Sequence, residues 1–270
     1  MKPRRVCAVS FSPTGKSEEL ARLLSAELAA FTGAAQSFFS LNLPRERAGV
    51  LRFARDDLVV AVSPVYAGRL PNKLAPDFAR VLRGDGTPVL AVCAFGNRSP
   101  GDALREWLLL LEAGGFVPLG AMAAACRHAF TDDVGRGRPD AQDRAELLAF
   151  ARAAAAKLGA PELFPLAYDR ETPLAPYYTP LRADGLPAKF LKAKPVCLEN
   201  CTRCGVCADV CPMGSVDRDT LETPGVCIKC QACVRACPEG ARVLTDADFL
   251  SHAAMLREHF TARAANTVLL

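Results

Sequence analysis

Along the first 158 residues, short apolar runs alternate with stretches whose apolar side chains recur at helical spacing. Residues 5–11 read as a buried strand. Residues 17–31, with Leu20, Leu23, Leu24, Leu28 and Phe31 on one face, read as a helix. Residues 36–41 form a weaker strand. Residues 57–63 (DLVVAVS) form a strong one, followed by a helix over 71–82. Residues 87–95 are a fourth strand, and residues 102–112 a helix stopped by Gly114 and Gly115. A fifth strand spans 116–124 and a last helix 141–158. Strands alternating with helices imply crossover connections and a parallel sheet covered on both faces. Five of them predict an α/β fold with a doubly wound, five-stranded parallel sheet in the order 2-1-3-4-5.

Between residues 159 and 195 the pattern fails. Pro161, Pro165, Pro173, Pro176, Pro180, Pro187 and Pro195 interrupt any regular element. This stretch is expected to be an extended connector with one short helix over 184–194. The expected division is a first domain over 1–158, a proline-rich connector over 159–195, a small α+β cysteine module over 196–245, and a closing helix and tail over 246–270.

Composition narrows the function. A net charge of +4 and 7% aromatics offer neither a basic field nor stacking platforms for nucleic acid. No segment approaches the roughly 20 apolar residues of a membrane span. Twelve cysteines without an export signal are expected in a reducing, cytoplasmic setting rather than in a disulfide scaffold.

Nine of the cysteines fall between Cys197 and Cys237, and they form an internal repeat. Cys201-Thr-Arg-Cys204-Gly-Val-Cys207-Ala-Asp-Val-Cys211-Pro212 matches Cys227-Ile-Lys-Cys230-Gln-Ala-Cys233-Val-Arg-Ala-Cys237-Pro238. A Cys-x2-Cys-x2-Cys loop wraps three corners of a cubane, and the fourth cysteine, just before proline, reaches the other cube. The predicted ligand sets are therefore Cys201, Cys204, Cys207 and Cys237 for one [4Fe–4S] cluster, and Cys227, Cys230, Cys233 and Cys211 for the second. Zinc knuckles use cysteines in pairs and have no use for this third and fourth position, twice. The module resembles a bacterial two-cluster ferredoxin. Cys197 lies outside the pattern and reads as a buried or free thiol.

A second motif follows the first strand. Ser12-Pro13-Thr14-Gly15-Lys16-Ser17 leads directly into a helix, and backbone N–H groups beside hydroxyls at a helix start suit a phosphate. Gly15-Lys16-Ser17 matches the end of a Walker A loop. That motif also needs a glycine five residues before Gly15, where Ser10 stands, and an acid after the third strand, where Ala61-Val62-Ser63-Pro64 stands. A P-loop ATPase bearing a ferredoxin module is thus the alternative reading.

Ser-x-Thr-Gly-x-Ser instead resembles the FMN phosphate loop of flavodoxins. Together with FSPTGKS, the segments PVYAGRLP, FGNRSPGDALREW and GRPDAQD make the chain similar to a family in which a flavodoxin-like domain is fused to a two-cluster ferredoxin. The resemblance implies FMN, two [4Fe–4S] clusters and electron transfer, without a substrate. It implies an FMN site formed by Ser12, Thr14, Gly15, Lys16 and Ser17, by Pro64, Val65, Tyr66, Ala67 and Gly68, and by Phe95, Gly96, Asn97 and Arg98. Tyr66 would stack on the ring, with Phe95 as a second wall. Flavodoxin loops usually carry acids near the flavin, whereas these carry Arg69 and Arg98 and no Asp or Glu. Positive charge there would favour the anionic reduced flavin and set electrons running from cluster to flavin.

The remaining candidates read as ordinary. His128 is expected as a surface-loop residue, the alternative being that its loop leans over the flavin and donates a proton; His252 and His259 are expected as solvated on the closing helix. Cys7 and Cys93 are expected to be buried in strands, and Lys189, Lys192 and Lys194 to form a solvated face. No Gly-x-Gly-x-x-Gly fingerprint indicates direct NAD(P)H oxidation. The expected partner is a redox protein or a small-molecule electron donor or acceptor. The protein would serve as an intermediary carrier or as a small-molecule reductase.

Overall fold

The computed structural model describes residues 2–160 and 163–270. Pro161, one of the connector prolines, lies outside the described residues. In chain order the elements are β1 (Arg5–Ser10), α1 (Lys16–Thr32), β2 (Ala35–Ser40), β3 (Leu51–Phe53), β4 (Asp57–Pro64), α2 (Ala75–Val81), β5 (Leu82–Gly84), β6 (Thr87–Phe95), α3 (Ala103–Ala113), β7 (Phe116–Ala125) and α4 (Ala141–Ala156). The C-terminal part adds β8 (Val196–Cys197), α5 (Val206–Asp209), α6 (Ala232–Ala236), β9 (Arg242–Val243), α7 (Ala247–His259) and β10 (Thr267–Leu269).

Among the described residues the main sheet runs β10-β7-β6-β4-β1-β2. Its five long strands are parallel and stand in the expected 2-1-3-4-5 order. The sheet is nevertheless six-stranded, because β10 pairs antiparallel with β7 through Thr267 and Ala123. The expected tail is thus an edge strand of the first domain. The short strands β3 and β5 form a separate parallel pair. β5 takes Leu82 from the helix expected over 71–82, and residues 71–74 form a turn ahead of it, so α2 has only seven residues.

Alternation along β1 shows how the core is built. Val6 and Ala8 face α1 and α4, among Leu20, Leu24, Leu28, Leu147 and Phe150. Cys7, Val9 and Phe11 face α2 and α3, among Phe78, Trp107, Leu108 and Leu111. Burial of each such large side chain stabilises by about 1.5–3 kcal/mol. Trp107 is almost fully buried, and its indole N–H donates to the Ala61 carbonyl at 2.9 Å. α1 ends at Gly33, whose left-handed backbone (φ 71°) returns its N–H to the Ala29 carbonyl at 2.8 Å.

The connector is strapped to the first domain. The Tyr178 N–H donates to the Ala67 carbonyl at 2.8 Å, and the Tyr177 hydroxyl to the Leu70 carbonyl at 2.9 Å. The short helix expected over 184–194 does not form. Arg182 N–H donates to the Leu186 carbonyl around Gly185 (φ 79°), a turn that Asp184, Gly185 and Pro187 favour. The cysteine module is riveted to the same domain. Arg47, 3% exposed, donates to the carbonyls of Leu41, Asn42 and Pro212. Arg235 pairs with Asp132 at 2.6 Å and also donates to the Ala129 carbonyl. No helix among the described residues is long and apolar enough to cross a membrane.

Candidate functional site

The carboxyl ends of β1, β4, β6 and β7 open into one cavity of about 350 Å³, within the range of ligand pockets. At one end lies the turn into α1. Gly15 adopts φ 88°, open to glycine at no steric cost. The Ser12 hydroxyl accepts from the Glu18 N–H at 2.8 Å, and Lys16 pairs with Glu19 at 2.7 Å. At the other end the connector, the cysteine module and α7 close over the sheet edge with Tyr177, Tyr178, Phe190, Lys229, Cys230 and His252.

The structure brings most of the expected residues together. Ser12, Thr14, Lys16, Ser17, Pro64, Val65, Tyr66, Ala67, Phe95, Gly96 and Arg98 all line this cavity. Phe95 is 2% exposed and belongs to the core, so aromatic cover comes mainly from elsewhere. Gly15, Gly68 and Asn97 stand outside the lining. Gly68 packs against Gly101, where a Cβ would meet the Gly68 carbonyl oxygen at 2.5 Å. The Asn97 side chain is committed to the tail. Its amide donates to the carbonyls of Phe260 and Ala262 at 2.8 Å each, and its oxygen accepts from Arg138.

Two histidines depart from a solvated placement, and His128 takes the alternative of a loop that leans over the cavity. His128 is not a free surface residue. Its ring packs on Gly96 so closely that a Cβ there would lie 2.3 Å from Cδ2. Its Nδ1 accepts from the Phe130 N–H at 3.1 Å, so Nε2 carries the proton of the neutral ring. Burial, then His252, Arg98 and Arg235, push its pKa down to about 4. His252 is 5% exposed rather than solvated, and its Nδ1 donates to the Leu181 carbonyl at 2.7 Å. Burial, partly offset by that bond, lowers its pKa too. The signal for His252 was present in the spacing of Phe249, His252, Ala253 and Leu256, one face of α7.

Among the described residues the lining contains no Asp or Glu. Of its cations, Lys16 pairs with Glu19 and Arg127 with Asp132, and Lys229 donates to backbone carbonyls. Arg98 lies 3.7 Å from the centroid of the Tyr178 ring, and burial lowers its pKa. Arg69, the other loop arginine, is outside the lining and held by both oxygens of Glu106 at 2.8 and 2.9 Å.

Two smaller cavities lie in the cysteine module. One is lined by Cys201, Cys204, Cys207 and Cys237, together with Cys197 and Arg242. The other is lined by Cys211, Cys227, Cys230 and Cys233. The exchange of the fourth cysteine between repeats is therefore present in the fold. None of the twelve cysteines is disulfide-bonded. Among the described residues no three Cys, His, Asp or Glu side chains are grouped to hold a single ion; the cysteines stand around cavities instead. Cys197, expected as a buried or free thiol, is exposed, and its sulfur accepts from Arg242 Nη1 at 3.1 Å. Cys230 lines both its own cavity and the large one. The Tyr66 hydroxyl is raised well above its ordinary pKa, by burial first and then by Cys230 and Cys227.

Residues 198–217 and 224–240 each match a family described as a 4Fe-4S binding domain. No curated protein sequence matches the chain. Among solved structures, a flavodoxin from the domain Archaea is 12% identical, with 58% of this chain and 99% of that one covered at a TM-score of 0.41. An NADH:FMN oxidoreductase in its apo form is 15% identical, covering 59% and 93% at 0.45. A Pseudomonas aeruginosa flavodoxin mutant is 20% identical, covering 56% and 98% at 0.33. These likenesses are too distant to transfer an activity, and the fold rests on the strand order itself. The chain joins a flavodoxin-like α/β domain to a ferredoxin-type segment that carries two 4Fe–4S-binding repeats.

Proposed function

We propose that the protein passes single electrons between two [4Fe–4S] clusters and an FMN. Cys201, Cys204, Cys207 and Cys237 hold the outer cluster, and Cys211, Cys227, Cys230 and Cys233 the inner one. The turn of Ser12, Thr14, Lys16 and Ser17 takes the FMN phosphate, and Tyr66 lies along the ring. The large cavity fits such a ligand in volume and in its phosphate-binding end. It does not fit the ATPase alternative, because no acid lines it to hold Mg2+.

One observation carries the reading. Cys230 borders both the inner-cluster cavity and the flavin cavity, so the two carriers would be neighbours. The outer set includes the exposed Cys204, which gives that end access to a redox partner. FMN, when bound, supplies a couple that exchanges one or two electrons. The chain's own residues hold the carriers in line, and the connector shields the ring from water.

A reductase reading has its own support. Arg98, the Nε2–H of His128 and the free Nε2 of His252 offer a cation, a donor and an acceptor in one cavity. Such a set suits a small anionic acceptor beside the ring.

The test is anaerobic purification of the full chain. About eight irons per chain and FMN released on denaturation are expected, and limiting one-electron reductant should reduce the flavin together with the clusters. Bound nucleotide in place of FMN, or a flavin that stays oxidised beside fully reduced clusters, would overturn the proposal.

A further inference from the structure

Among the positions at which the two repeats differ, one lines both cysteine cavities and buries a charge in only one of them. Counting from Cys211 and Cys237, Gly214 matches Gly240, Ser215 matches Ala241, and Val216 matches Arg242. Val216 lines the cavity of the inner cysteine set. Arg242 lines the cavity of the outer set. An apolar wall in one half is thus a guanidinium in the other.

The Arg242 side chain belongs to a residue only 2% exposed, and among the described residues it makes no ion pair with a carboxylate. Burying a lone cation costs several kcal/mol unless something offsets it. Its neutral partners are the Leu221 carbonyl, the Thr223 hydroxyl at 2.7 Å and the Cys197 sulfur at 3.1 Å, all taken by Nη1 and Nη2. Nε has no partner. Among the described residues it is the single buried side-chain nitrogen or oxygen left so. Buried donors are almost always satisfied, and the cavity beside this one is where four thiolates converge.

We propose that Arg242 is the hydrogen-bond donor and counter-charge of the cluster held by Cys201, Cys204, Cys207 and Cys237, and that it separates the potentials of the two clusters. The inference rests on reading the two cysteine cavities as cluster sites. A reduced cluster carries one more negative charge than an oxidised one, so a fixed cation and an N–H bond to sulfur favour reduction. Arg242 also bears on Cys233 of the inner set, but it lines only the outer cavity, and Val216 gives the inner one an apolar wall. The outer cluster is therefore the one of higher potential. Thr223 and Cys197 are positioning residues that hold the two terminal nitrogens and leave Nε without a partner.

The experiment is a potentiometric titration of the full chain followed by electron paramagnetic resonance, with iron content measured alongside. Arg242→Val makes the second repeat match the first. Expected is full iron content, with one cluster harder to reduce by at least tenfold, about 59 mV for a one-electron couple, and the other shifted by less. Arg242→Lys, which keeps the charge, should retain part of the separation. If the valine variant loses iron, Arg242→Gln is judged by the same criteria. Unchanged potentials, or equal shifts of both clusters, with iron intact would overturn the inference. A wild-type chain that binds no cluster would instead overturn the reading beneath it.

Discussion

The Arg98 guanidinium stacks on the Tyr178 ring, 3.7 Å from its centroid, and faces a cavity that no carboxylate lines. The ring fixes the charge without neutralising it. Arg69 differs, because Glu106 takes its charge up. The two loop arginines, equivalent by sequence, thus divide into one that bears on the cavity and one that fastens the connector through the Ala175 carbonyl.

Arg98→Gln should make the flavin harder to reduce, by about tenfold in the equilibrium constant, or about 30 mV for a two-electron couple. Arg69→Gln should leave the flavin potential nearly unchanged. A redox titration of both variants checks this, and a wild-type flavin couple well below both clusters would contradict the inferred direction of electron flow.

Gly96→Ala should displace His128, since the new Cβ would lie 2.3 Å from its ring. Overpacking of this kind costs about 1–3 kcal/mol, and flavin affinity should fall with it. Chemical unfolding and fluorimetric FMN titration read the two effects.

His128 also predicts a pH dependence. Its folded pKa is lowered to about 4, below the ordinary value of 6.5, so the unfolded chain binds the proton first as pH falls. Its contribution to stability is complete above the ordinary value and is lost as pH falls from there through about 4. His128→Gln should flatten this part of the stability profile, measured by urea unfolding at pH 7 and pH 5.

Cys230→Ala should leave about four irons in place of about eight and also slow flavin reduction by external one-electron donors. Cys204→Ala, at the exposed outer set, should cost the same iron without disturbing bound FMN. Iron analysis and stopped-flow spectra of the flavin band separate the two.

Asp143, fully buried, accepts from Arg138 at 2.5 and 2.9 Å, from Arg263 at 2.8 Å and from Asn266 at 3.0 Å. Although burial opposes ionisation, these bonds hold its pKa below the ordinary carboxylate range. Its stabilisation is therefore present above about pH 3.9 and lost as pH falls through the lower folded value. Asp143→Asn should destabilise by about 3–5 kcal/mol and free β10, seen as faster amide exchange at Val268.

Much of the fold was legible because periodicity reports directly on burial. The run at 87–95 is buried at every position, as a central parallel strand must be. The tail was not legible. Thr267–Leu269 is too short to carry a pattern, and its pairing is decided by Asn97, Arg138 and Asp143, far away in sequence. His252 was misplaced for a related reason: its face of α7 is buried only because the connector and the 128–130 loop pack against it.

By itself the sequence determined the local chemistry. Repeat spacing predicts the two cysteine sets that line the two small cavities, and the Ser12–Ser17 turn suits a phosphate, because such motifs work through residues a few positions apart. Only the tertiary structure decided how these parts meet. It set Cys230 between two cavities, stacked Arg98 on Tyr178 within the large one, and buried Arg242 where its repeat partner is Val216. Those relations depend on burial and on contacts between residues well separated along the chain, which no local pattern encodes.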